Sequence, residues 1–225
     1  MEEVPRVLIL GIGNLLWADE GFGVRAVEEL HRAYAFARNV TLMDGGTQGI
    51  YLIEHVRNAD ILVVFDAVDY GLPPGTIKLV EDDEVPKFLG AKKMSLHQTG
   101  FQEVLAMAEM LGDLPRHLLL VGVQPVELED YGGSLRSDVK AQIAPAIGHA
   151  IAYLARFGIE PQRRAAPLAD DMTLSSAEVS LSAYENGRPS EAEACRYGDP
   201  RVLAATGSDA APVDAAADPS APEVA

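Results

Sequence analysis

The chain has 225 residues, enough for one domain with a sizeable core, and sets 18 Lys plus Arg against 34 Asp plus Glu, a formal charge of −16. Such an excess of negative charge repels phosphate backbones and anionic lipid, which excludes nucleic acid and membrane surfaces as natural partners. No apolar run approaches the roughly 18 residues of a membrane span, the opening MEEVPR is acidic with no signal peptide, and a lone cysteine, Cys195, fits a reducing cytoplasm without an internal disulfide.

In chain order, RVLILGI (6–12) is a short continuous apolar run and reads as a buried strand, followed by an acid-capped helix over about 19–34. NVTLMDGG (39–46) reads as a second strand ending at Asp44 and two glycines, and a helix around 48–57 leads to DILVVFDAVD (60–69), the most apolar strand. PPGTIKLVEDDEVP (73–86) reads as a turn and a shorter strand whose charges suit a sheet edge. HQTGFQEVLAMAEMLG (97–112) has helical spacing, RHLLLVGVQP (116–125) is the last strand, and a long helix over 137–158 starts from Ser137 as N-cap. Alternating β and α units with continuous apolar strands predict an α/β fold: a twisted, mainly parallel sheet of about five strands with helices on both faces. The domain is expected to span 1–160. Residues 161–225, rich in Ala, Pro, Ser, Asp and Glu, lack the apolar groups to offset their ordering entropy and are expected to form a disordered tail, with at most a short helix near 174–186.

The first strand runs into GIGNLLWADEGFG, which begins like a dinucleotide fingerprint. Leu16 stands where the third glycine belongs, and the long acidic loop NLLWADE cannot hold a pyrophosphate against a helix N-terminus. In an open α/β sheet ligands bind beyond the carboxyl ends of the strands. Glu20 after the first strand, Asp66 at the end of the third and His97 at the start of the following helix reach that rim, with Asp44 a fourth candidate. Two carboxylates and an imidazole suit a divalent transition metal with coordination positions left open. The plainer reading of Glu20 is a first-turn acid favoured by the helix dipole, and of His97 a turn residue. His31, His55, His117 and His149 read as structural or surface groups.

GIGNLLWADEGFGVR, MDGGTQG, LVVFDAVDYGLPPGTI, MSLHQTGFQEVL and LLLVGVQPVELEDYGGSLRSDV together resemble, in order, the maturation endopeptidases of nickel–iron hydrogenases, over roughly residues 5–158. The resemblance implies a metal site of Glu20, Asp66 and His97, with Asp44 as the acid of the family's Asp-Gly-Gly-Thr motif. It implies a cytoplasmic enzyme that removes a C-terminal peptide from the precursor of a hydrogenase large subunit once nickel is inserted. The nickel would be the substrate's own, and the protease a monomer whose rim admits a large protein. The chemical step stays open between metal polarisation of the scissile carbonyl and an aspartyl-protease-like route with Asp44 or Asp66 as general base on water. The alternative function is a nickel-recognising chaperone that binds the same precursor without cutting it.

Overall fold

The computed structural model describes residues 4–86 and 96–187, the side chains of 96–99 excepted. Its frame is a five-stranded sheet of β1 (Val7–Ile12), β3 (Val40–Gly46), β4 (Ile61–Ala67), β5 (Ile77–Glu81) and β6 (His117–Val123), in the order β3-β1-β4-β6-β5. β1, β3, β4 and β6 are parallel, and β5 alone runs antiparallel at the edge, where Glu81 is exposed. A small second ladder joins β2 (Tyr34–Ala35) to β7 (Gln162–Arg163).

β1 and β4 are buried along their whole length because helices cover both sheet faces. Val7 and Ile9 of β1, with Ile61, Val63 and Phe65 of β4, pack under α1 (Phe22–Ala33) and α5 (Ile143–Ala155). Leu8, Leu10, Leu62 and Val64 point the other way, under α2 (Ile53–Arg57) and α3 (Leu96–Leu111). Strand alternation thus divides one apolar sequence between two cores. The chain leaves β1 for β3 on one side and comes back to β4 on the other, so the crevice beyond Ile12 and Ala67 is the switch point of the sheet.

Two expected elements differ. The helix read over 137–158 is broken into α4 (Ser137–Lys140) and α5, because Pro145 has no N–H for the Ala141 carbonyl and its ring crowds that group. Ser137 does not cap it; Arg136 holds the cap position without a side-chain bond, and the Ser137 hydroxyl turns to Asp138 at 3.5 Å. The second difference is the tail. Residues 161–187 are not disordered: β7 and α6 (Leu181–Gly187) lie there within the same unit as the sheet, which runs to Gly187. Polar anchors hold this segment, with Leu174 packed on the α1–α5 core, so no periodic pattern announced it. Residues 188–225, with Cys195, lie outside the described residues.

Candidate active site

The loop after β1 is set by close backbone approach. Gly13 has φ +140, and a Cβ there would collide with the Glu20 carbonyl. A Cβ on Gly23 would strike the carbonyls of both Ile12 and Phe65, so α1 begins directly against β1 and β4. Between these glycines the chain forms a 3-10 turn over Ala18–Gly21, entered through Ala18 at φ +38. A left-handed alanine costs about 1–2 kcal/mol and persists only where the surroundings fix it.

Asp19 supplies that fixing. Its carboxylate is fully buried and accepts from the amides of Val126 at 2.8 Å, Glu127 at 2.9 Å and Arg136 at 2.7 Å. The first loop is thereby sewn to the loop after β6, and Trp17 and Tyr131 close the seam with an edge-to-face ring contact at 5.3 Å. Asp19 supports the loop, and Glu20, the next residue, is half-buried. Burial pushes the half-buried Glu20 carboxyl up to about 7.

Asp66, 2% exposed, lies at the carboxyl end of β4. Two residues beyond Val64, it takes the α2–α3 face of the sheet. α3 packs on that face through Phe101, Val104 and Leu105, and its first turn contains His97, whose side chain lies outside the described residues. Asp66 and the helix whose first turn contains the His97 backbone therefore share one face of the sheet. Among the described residues no three metal-ligating side chains converge, a set that leaves His97 out.

Asp44 takes the other face. It pairs with Gly11 across β3–β1, two residues after Leu42 on the α1–α5 side, and its Oδ2 accepts a hydrogen bond from Ser175 at 3.1 Å. Asp44 and Asp66 share the rim, with β1 between their strands, but point to opposite faces.

Gly122, Tyr70, Lys78 and Gln124 at the rim were not singled out from the sequence. On β6, Gly122 stands beside Asp66 and leaves the space in which the Tyr70 phenol lies. Burial first, and then the charge of Asp66, push that phenol well above its ordinary range, so it stays a donor. Lys78 sits with its ammonium 5.1 Å from the centre of the Tyr70 ring. Gln124, buried, accepts from the amides of Tyr70 at 2.7 Å and Leu72 at 3.1 Å and donates to Asp69 at 3.0 Å, which fixes the loop after β4. Counting alternate residues from the buried strands locates Lys78 and Gly122 on the Asp66 face; nothing local marks Gln124.

A sequence profile of the hydrogenase maturation protease family matches residues 24–153. The hydrogenase expression/formation protein HupD of Thiocapsa roseopersicina is 66% identical over 203 residues, covering 90% of this chain and 92% of that protein. The chain belongs to the hydrogenase maturation protease family. The Escherichia coli (strain K12) hydrogenase 2 maturation protease is 42% identical over 156 residues, 69% of this chain and 94% of its own. The solved E. coli hydrogenase maturating endopeptidase HybD superposes with a TM-score of 0.67 at 39% identity, over 71% of this chain and 98% of its own. This hydrogenase maturation protease is accordingly a peptidase. It shares the family's α/β fold and continues past residue 153, where the profile match ends.

Proposed function

We propose that this protease removes a C-terminal peptide from the precursor of a nickel–iron hydrogenase large subunit after nickel has been inserted, and that Glu20, Asp66 and His97 dock on the nickel held by that substrate. The observation that carries this reading is the pair of carboxylates at the switch point, Asp66 buried and Glu20 pushed up to about 7. Burying a carboxylate is unfavourable unless hydrogen bonds, a cation or a proton compensate it, and a cation does so most strongly. A metal ion arriving with the substrate supplies that cation, and the half-buried setting of Glu20 leaves it reachable. The rim also suits a protein substrate: Leu16, Ile50, Tyr51, Leu72, Val126 and Tyr131 are all exposed in the loops that follow β1, β3, β4 and β6.

With Asp66 engaged on the metal, Asp44 is the carboxylate left to act as general base. It takes a proton from water as the oxygen adds to the scissile carbonyl; collapse of the tetrahedral adduct breaks the C–N bond, and the proton passes to the leaving amine. Substrate nickel would fix the position of that bond. No helix among the described residues is long and apolar enough to cross a membrane. The enzyme is taken to work as a monomer in the cytoplasm, where the precursor is made.

The test follows the mass of a large-subunit precursor, prepared with and without nickel, after mixing with the purified protease. Loss of a C-terminal peptide only from the nickel-loaded form is expected. Cleavage of both forms would discard the docking role, and a stable complex without cleavage would favour the chaperone reading. Asp66→Ala is expected to abolish cleavage with the fold intact.

A further inference from the structure

The family profile ends at residue 153, yet the chain beyond it is fastened across the α1–α5 face as far as the rim. β7 pairs with β2, and Arg164 donates to the carbonyls of Tyr34 at 3.2 Å and His31 at 3.4 Å. Further on, the buried Arg25 of α1 donates to the Val179 carbonyl at 2.6 Å, and Lys140 of α4 pairs with Glu185 at 2.8 Å. Between those anchors the segment passes the end of β3. There Thr173 bonds to the carbonyls of Asp170 and Ser175, which stiffens the turn, and the Ser175 hydroxyl reaches Asp44.

We propose that the C-terminal segment is a working part of the active site and that Ser175 is a positioning residue for Asp44. The inference rests on Asp44 being the general base. A carboxylate at a strand end is free to rotate about two side-chain bonds, and a general base must meet its proton at hydrogen-bond distance. The Ser175 hydroxyl holds Oδ2, which leaves Oδ1, lying over Gly46 at the rim, for water. The strap that carries Ser175 stands off the domain over a cavity of about 540 Å³ lined by Glu28, Arg32, Ile143 and Glu185. Discrete polar anchors and the packing of Leu174, the residue before it, hold Ser175 at Asp44.

The experiment measures nickel-loaded precursor processing by full-length wild type, Ser175→Ala, Ser175→Thr and Asp44→Ala, with melting temperature recorded for each. Ser175→Ala is expected to lower kcat roughly tenfold or more at unchanged KM and melting temperature, and Ser175→Thr to restore most of it. An unchanged kcat in Ser175→Ala, a loss confined to KM, or a threonine variant as slow as the alanine variant would each overturn the proposal. Normal cleavage by Asp44→Ala would instead defeat the reading of Asp44, independently of the strap.

Discussion

Asp19 and Glu20 are adjacent acids with opposite fates. Three backbone amides satisfy Asp19, so Asp19→Ala leaves buried donors without an acceptor and releases the strained Ala18. A loss of about 3 kcal/mol or more is expected, lowering the melting temperature by roughly 6–12 °C. Glu20 behaves in the reverse sense. Its folded pKa is raised to about 7 from 4.5, so the folded chain holds more protons than the unfolded chain across that interval, and this group's contribution to stability falls as pH rises through it. Glu20→Gln removes the dependence and is expected to raise the melting temperature at pH 8 by about 2–4 °C and leave it nearly unchanged at pH 4. Processing should fail in the same variant. In the wild type it should decline below about pH 7, because protonated Glu20 cannot meet a cation; a pH–rate profile of kcat/KM checks this.

At the scale of elements, the glycines decide how closely α1 may lie on the sheet. Gly23→Ala puts a methyl group between two carbonyls that are themselves locked in β1 and β4, and neither can yield. The helix must lift, at a loss of about 2–3 kcal/mol, and take the Glu20 turn with it; a urea midpoint and the processing rate should fall together. Elements with an apolar period were legible in the sequence for this reason: β1, β3, β4, β6, α1 and α3 each bury a regular face. The break before α5 was also written in the chain, at Pro145, but the apolar run that continues beyond it masked it. The strap was not legible, because its ties, among them Leu174, Arg25, Arg164, Lys140 and Ser175, find their partners only in three dimensions. The same holds at the site. Glu20, Asp66 and Asp44 could be placed at the rim from strand ends alone. That Asp44 and Asp66 point to opposite faces follows from alternation once strand boundaries are known, whereas the roles of Gln124 and Ser175 depend on contacts 52 to 131 residues away along the chain.

For the molecule as a whole, the sheet order creates one crevice, and every long-range polar tie described above steadies a loop beside it or the strap that reaches it. Arg25 is a buried member of that system: it pairs with Glu28 at 3.0 Å and holds the strap at Val179. Arg25→Ala leaves Glu28 as a buried charge whose other oxygen, Oε1, has no hydrogen-bond partner among the described residues. A loss of about 3–5 kcal/mol is expected in denaturant unfolding, and with it weaker processing as Ser175 drifts from Asp44.

The clamp at Asp19 also sets a timetable. Its last partner, Arg136, lies 117 residues further along the chain, which at ordinary synthesis rates is roughly 6–23 s of translation. Strand β1 can pair with β3 and β4 well before then, while the Glu20 turn still lacks the amides that hold it. The ribosome thus delivers the scaffold first and the amides that clamp the Glu20 turn only later.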